Sequence, residues 1–594
     1  MEVKINKAII AGSKKDFDEI KKNLDINNAQ LILWKPDFSL ISNKENTLPE
    51  VLGDRINKKH IDNATKDIHV ILKSWYRNKK GDDLSIVDGC SLGLVFESSL
   101  ELLLYNISQT YLGLLEISNQ YEEIFMDNAD EPVKTFVANW LTKKFGLQIR
   151  VINVKQSKKN KSLFHPMLGF RYLESHFIQG NIFDRLAFIF MKLIQPKPKN
   201  PIFIQNSGKL DEYFENHFRM KNPFFKLLLP ISRKLRLNFK FNQVYFWKRA
   251  YNHNNNNNEV FNEIKLNIKS LGWNQETKVI PISLIKESIS EFCTPYWPSA
   301  LNYYFFYKKL FKAYKPNLAF YGTDGSEIPL ISAYAAKSLK IPTLMMPHGV
   351  APWGPYNMRK TLEGPIKYYC TIGPFDSINF NANGIPVDNV IKAKLPWFSK
   401  SEFRTLKNKK DSFIKKKAML LPLDTGFSLH LNANTIHRHI IDMIDICDKC
   451  NIEIYGIKFR SIDEIKSFGL KLGNNILYGK KINVFGGYGN LSSYFNKIDM
   501  VIGPLSSASA ECSIANMDYY HYHDYSMYEE NPNIYKSPTN IFHIASNKKS
   551  LETNILSNQI FKSGHDKNSL VNISSSFDQA CDDLNKILCN IANE

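Results

Sequence analysis

At 594 residues the chain is long enough for two or three domains, and 43% hydrophobic residues with 13% aromatics supply real cores, which excludes a disordered protein. The 77 Lys and Arg outnumber 58 Asp and Glu, and the resulting charge of +19 favours an anionic partner (nucleic acid, an acidic membrane surface or a phosphorylated substrate) unless Lys and Asn are simply abundant. Eight thinly spread cysteines exclude a disulfide framework and fit a reducing cytoplasm.

The chain enters Lys7-Ala-Ile-Ile-Ala-Gly12-Ser13, a strand and turn, with no apolar stretch of signal-peptide type. No uncharged apolar run reaches the ~18 residues needed to span a bilayer. Strands are expected at Ala8 to Ala11, Leu31 to Trp34, His69 to Leu72, Glu123 to Met126 and Gln148 to Val154. Between them fall helices near Lys15 to Asn23, after Ser91, and near Val133 to Phe145. Such alternation predicts a parallel sheet covered by helices, here half of a larger unit.

From 156 to 298 the pattern loosens into basic and aromatic clusters such as Phe224 to Phe241, with a five-asparagine loop tip at Asn254 to Asn258, and we read a mostly helical basic insertion. The α/β rhythm resumes with a helix near Ala300 to Ala313, a strand at Leu318 to Tyr321, a helix from Glu327 to Leu339 and a strand at Pro342 to Met346. A loop rich in Pro, Gly and Trp ends near Pro365 and reads as an interdomain crossing. A second unit then begins with Tyr368 to Ile372 and continues through strands at Ala418, Ile452 and Met500, with helices near Thr435, Leu491 and Ala508. The expected domains are therefore 1–365, 366–575 and a terminal helix, 576–594, able to pack back across the first.

Several strand ends carry polar groups, where open α/β sheets bind ligands. In Tyr321-Gly322-Thr323-Asp324-Gly325-Ser326-Glu327, Asp324 and Glu327 are candidate general bases for an acceptor hydroxyl, unless Ser326 and Glu327 only cap the helix. His348, between a buried strand and Gly349, can relay a proton or donate to a leaving phosphate, and the alternative is a satisfied structural histidine.

Ser506-Ser507-Ala508-Ser509-Ala510-Glu511 places hydroxyls and amides at a helix start, a phosphate seat or simply a tight packing turn. Lys458 and Arg460 follow the strand from Ile452 and can neutralise a phosphate, although charges at strand ends are common. Loops at Thr425-Gly426 and at Gly486-Gly487-Tyr488-Gly489 allow close approach of a nucleotide, yet neither is a Walker sequence. Cys447-Asp-Lys-Cys450 lacks a second pair at zinc spacing, and His521-Tyr-His523 lacks a third ligand, so no metal site is expected.

With these loops placed, the chain resembles the GT-B glycosyltransferases, specifically the bacterial capsule and lipopolysaccharide group that uses CMP-sugars and is related to the CDP-glycerol glycerophosphotransferases. His348-Gly349 matches the group's His-Gly signature, and Ser506-Ser507 with Glu511 its Ser-Ser signature. The resemblance implies two Rossmann-like domains facing a cleft. It places His348 beside the donor phosphate or reaction centre and Ser506 and Ser507 on the nucleotide phosphate. Where the group carries a Lys-x-His-Pro loop this chain has Lys458-Phe459-Arg460, which leaves room for a UDP or GDP donor.

The expected activity is metal-independent transfer of a sugar from a nucleotide-sugar, CMP-sugar favoured, to a surface-glycan or lipid-linked acceptor. The expected protein is cytoplasmic, with the basic insertion suited to an anionic inner-membrane surface, and needs no cofactor beyond its donor. Two alternatives stay open: a nucleotide-sugar epimerase of the same fold, and a non-enzymatic membrane or polyanion-binding protein. Nucleic acid is not an expected partner, because the basic residues are dispersed and no recognition motif is visible.

Overall fold

The computed structural model describes residues 7–12, 14–24, 26, 28–34, 50–127, 132–152, 202–205, 224–227, 243–246, 277–293, 296–322, 327–346, 363–371, 373–382, 384–394, 415–423, 433–477, 479–487, 491–522, 541–564, 566, 572 and 576–593. The asparagine run and most of the 156–298 segment lie outside them.

The first unit runs β1 (Lys7–Ala11), α1 (Lys14–Asn23), β2 (Gln30–Leu33), a 3-10 turn (Leu52–Arg55), α2 (Lys58–Ser74), a small hairpin of β3 (Ile86–Val87) and β4 (Cys90–Ser91), α3 (Leu92–Ser118), β5 (Glu123–Asp127), α4 (Pro132–Phe145) and β6 (Ile149–Ile152). Its four parallel strands lie in the order β2-β1-β5-β6 and form a sheet of their own rather than half of a larger one. Ser91 caps α3 by accepting the Leu94 amide at 3.1 Å, the boundary its sequence predicts.

The strand expected at His69 to Leu72 is instead the fourth turn of α2. Ile68, Ile71, Leu72 and Trp75 are buried while Val70 is 42% exposed, a spacing of three and four that only a helix presents to one core.

A second sheet follows: β7 (Ile202–Gln205), β8 (Phe224–Leu227), β9 (Gln243–Phe246), α5 (Ile282–Phe292), α6 (Trp297–Tyr314), β10 (Leu318–Tyr321), α7 (Glu327–Ser338), β11 (Thr343–Met345), β12 (Tyr368–Thr371), α8 (Pro374–Ala382), a 3-10 turn (Val387–Asn389) and β13 (Val390–Lys392). The order is β13-β12-β11-β10-β7-β8-β9, with every pairing parallel. Counted from β7, this is the doubly-wound order 3-2-1-4-5-6, extended by one strand.

Two expectations shift here. The described part of 156–298, read as mostly helical, holds α5 and also contributes three strands to this sheet, each only four residues long and so too short for periodicity to separate from helix. Tyr368–Thr371, expected to open the second unit, pairs with β11 and stays in this sheet.

The third sheet comprises β14 (Lys417–Leu420), α9 (Ala433–Lys449), β15 (Glu453–Lys458), α10 (Ile462–Ser467), β16 (Gly473–Leu477), β17 (Lys480–Phe485), a 3-10 turn (Leu491–Lys497), β18 (Met500–Gly503), α11 (Ser507–Ala515) and β19 (Asp518–His521), followed by α12 (Lys548–Leu556) and α13 (Phe577–Asn593). Its order is β16-β17-β15-β14-β18-β19, with only β16 antiparallel. The parallel strands again read 3-2-1-4-5.

One core joins α2, α3 and α4 of the first unit to α5, α6 and α7 of the second. The Asp67 carboxylate pins this junction by accepting three backbone amides, from Lys278 and Val279 at 2.9 Å and Ile280 at 3.3 Å. A second core joins the seven-stranded and six-stranded sheets, and Leu584, Leu588 and Ile591 of α13 lie in it beside Leu318 and Phe320 of β10. The terminal helix thus returns to the seven-stranded sheet, with the Asn317 side-chain Nδ2 donating to the Ala592 carbonyl at 3.1 Å.

Candidate functional site

In a 3-2-1-4-5 sheet the chain leaves strands 1 and 4 in opposite directions, and the gap between their carboxyl ends is where ligands enter. Here those strands are β14 and β18. They touch closely: the Leu421 amide donates to the Ile502 carbonyl at 2.8 Å. A Cβ on Gly503 would stand 2.7 Å from Leu421 Cβ and 3.0 Å from its carbonyl oxygen. Glycine is therefore required, and the Gly503-Pro504-Leu505-Ser506 turn can run directly over the gap.

Ser506 is extended and caps α11. Its hydroxyl accepts the Ala508 amide at 3.3 Å, while its own amide donates to Ser509 Oγ at 3.4 Å. Ser506 and Ser507 are half-buried, so the helix start remains open to solvent on one side. A helix N-terminus in this position concentrates amide donors and the positive end of the dipole, which together favour an anion.

Lys458 ends β15, one strand from the gap, and its Nζ donates to the carbonyl of Gly487 at 3.1 Å. That couples the lysine to the glycine loop after β17, where Gly487 holds a φ of +111° that disfavours any other residue. Glu511 is buried and accepts the Leu491 amide at 3.1 Å, so it fixes the far end of the same loop. Arg460 is exposed, and its amide donates to Glu464. Thr425 and Gly426 lie outside the described residues.

In the seven-stranded sheet the corresponding gap lies between β7 and β10, at Gln205 and Tyr321-Gly322. The loop predicted to carry Asp324 begins there, and Met346, two residues before His348, donates its amide to the Tyr321 carbonyl at 2.9 Å. The described backbone thus brings the starts of both loops side by side, while Asp324 and His348 themselves lie outside the described residues. Glu327 is only 2% exposed, and its carboxylate accepts the Ser99 hydroxyl from α3. It ties the first unit to the start of α7.

The two sheets meet near their carboxyl edges. Phe542 lies 4.1 Å, centroid to centroid, from the His521 ring at the end of β19, and 6.1 Å from Phe375 in the first turn of α8. His521 is buried, and its Nε2 is 3.0 Å from Ser509 Oγ. Burial pulls its pKa down to about 3, so the ring is neutral. Sequence reasoning took His521 only as half of a metal pair, and its signal was its place at the end of a buried strand. His523 lies outside the described residues.

Asp127 was missed as well. At the end of β5 it accepts the Gly12 amide at 2.7 Å and the Trp34 indole at 2.9 Å, closing the gap of the four-stranded sheet with an internal carboxylate. Among the described residues no cluster of three or more His, Cys, Asp or Glu can hold a metal ion, and Cys447 is a buried thiol pushed up to about 12. No helix among the described residues is long and apolar enough to cross a membrane.

No protein-family model matches the chain, and no curated protein matches it. Solved structures do. The UDP-GlcNAc 2-epimerase of Neisseria meningitidis bound to UDP-GlcNAc is 10% identical, with a TM-score of 0.37 over 66% of this chain and 99% of that one. MurG of Acinetobacter baumannii is 8% identical, with a TM-score of 0.32 over 67% and 95%. Anabaena HepE in complex with UDP and glucose is 10% identical, with a TM-score of 0.29 over 66% and 97%.

The chain is an α/β protein with two Rossmann-like sheets. Its strand orders establish this. The four-stranded sheet is an additional unit packed on the helices of the seven-stranded one.

Proposed function

We propose that the protein is a GT-B glycosyltransferase that moves a sugar from a nucleotide-activated donor, CMP-sugar favoured, to a surface-glycan or lipid-linked acceptor. The observation that carries this is the turn Gly503 to Ser506, which crosses the strand-order gap of the six-stranded sheet with a capped helix start behind it and Lys458 one strand away. Such a gap is the ligand crevice of doubly-wound sheets, and amides, hydroxyls and a cation together are what a nucleotide phosphate requires.

In this account the six-stranded unit binds the donor, with Ser506 and Ser507 on the phosphate and Lys458 and Arg460 offsetting its charge as it departs. That stabilisation acts without a bound metal. His348 donates to the leaving phosphate. Asp324 is the base for the acceptor hydroxyl, since the Glu327 carboxylate is engaged with Ser99, and such a base contributes ~10² to 10⁴-fold in rate. The acceptor enters from the seven-stranded side. The +19 charge suits an anionic inner-membrane surface on which a lipid-linked acceptor would lie.

A thermal-shift panel of CMP, CDP, UDP and GDP tests the donor half. The expected result is stabilisation by at least one nucleotide in the wild type and its loss in Ser506→Ala, with His348→Ala still bound but inactive in transfer. A wild type indifferent to all four nucleotides would sink the proposal. Release of an epimerised nucleotide-sugar without an acceptor would replace transfer by epimerisation.

A further inference from the structure

β19 sends Tyr519 and His521, two residues apart and therefore on one face, beneath the turn that begins α11. The Tyr519 hydroxyl donates to the Pro504 carbonyl at 2.5 Å. The His521 imidazole meets Ser509 Oγ at 3.0 Å, and the same Oγ accepts the Ser506 amide at 3.4 Å. The turn is thus supported from below at two points, both from the neighbouring strand.

His521 also reaches the other way. Its ring packs on Phe542 at 4.1 Å, and Phe542 packs on Phe375 in α8, the helix that follows β12 of the seven-stranded sheet. Its Nδ1 is buried with no hydrogen-bond partner among the described residues. An orphaned buried N–H is rarer than an orphaned acceptor, so the ring proton belongs on Nε2, facing Ser509. A leucine filling this volume with carbon would keep the packing and lose the donor, while a glutamine would keep a donor at the Nε2 position.

We propose that His521 is a positioning residue that couples the phosphate seat to the junction of the two sheets: through Ser509 it fixes the Ser506 turn, and through Phe542 it holds Phe375. This rests on the nucleotide reading above. It extends that reading by linking occupation of the seat to the contact between the sheets. Filling the seat tightens Ser509 on His521, and the tightened ring restrains Phe542 and the start of α8.

The test uses the full chain as wild type, His521→Leu and His521→Gln. CMP, CDP, UDP and GDP are titrated by calorimetry, and amide exchange in α8 is followed with and without the nucleotide that binds tightest. We expect His521→Leu to weaken that nucleotide by at least about tenfold and His521→Gln to stay within about threefold of wild type, the difference made by one buried hydrogen bond. We also expect the nucleotide to slow exchange around Phe375 in wild type, and that slowing to vanish in His521→Leu even at saturation.

His521→Leu binding as tightly as wild type, or keeping the slowed exchange, overturns the coupling while leaving the nucleotide reading intact. If His521→Leu fails to fold, Ser509→Ala removes only the hydroxyl and decides in its place: weakened binding supports the coupling and unchanged binding overturns it. A wild type that binds none of the four nucleotides removes both.

Discussion

The Lys458 ammonium donates to the carbonyl of Gly487 at 3.1 Å, so one cation at the end of β15 holds the glycine loop that follows β17. If a donor phosphate replaces that carbonyl, loop and ligand compete for the same N–H donor. Lys458→Ala is expected to weaken nucleotide binding by roughly tenfold, the scale of one charge-assisted hydrogen bond. The half-buried, solvent-reached position should leave the melting temperature within about 2 °C. Calorimetric titration alongside a melting curve checks both.

Gly503 permits the approach of two chain segments at the gap. Gly503→Ala puts a methyl group against the Leu421 Cβ and carbonyl, neither of which is a flexible side-chain end. A loss of about 1–3 kcal/mol is expected from such overpacking, together with reduced nucleotide affinity. Urea unfolding of the variant measures the first, and an unchanged midpoint would show that the turn can relax.

Asp67 secures the chain where it returns to the second unit at 278–280. Asp67→Ala strips the partner from three backbone amides at once. The expected cost is about 2–4 kcal/mol, because water reaches part of this junction and meets some of the lost bonding. A stability loss under about 0.5 kcal/mol in denaturant titration would mean that the three amides find other partners.

His69 is buried beside Tyr105, and burial first, then the nearby Lys73 charge, pulls its pKa from the ordinary 6.5 down to about 4. The unfolded chain therefore binds a proton that the native chain refuses between those values. The stability from a neutral His69 is fully present above about pH 6.5 and is lost as pH falls towards about 4. His69→Gln should make the fall in unfolding free energy over that window shallower than in wild type. Equal slopes would place the acid sensitivity elsewhere.

Much of the architecture could be read in the sequence because buried parallel strands announce themselves as short apolar runs ending in Gly or polar residues. Leu318 to Tyr321 and Met500 to Gly503 are examples. What escaped was pairing. Nothing local in Tyr368–Thr371 says that it joins β11 rather than β14, and the boundary between the sheets shifted with it. The run His69 to Leu72 looked like a strand because four residues cannot reveal a period of 3.6, whereas the spacing from Ile68 through Trp75 could.

In the site, the serine turn was legible as a capped helix start, and Lys458 as a strand-end cation. Glu511 and Glu327 were legible as carboxylates but not as bonded ones, since their partners Leu491 and Ser99 are set by tertiary contact. His521 escaped as a supporting residue for the same reason: Ser509 and Phe542 meet it only once β18, α11 and β19 are folded together.

In the proposed function a nucleotide phosphate sits over the β14–β18 gap. Calorimetric titration of CMP, CDP, UDP and GDP into wild type and a Ser506→Ala, Lys458→Ala double variant decides whether it does. We predict that at least one nucleotide binds wild type at micromolar strength and that the double variant loses about a hundredfold. Equal binding by both proteins would contradict it, as would no binding of any nucleotide to wild type.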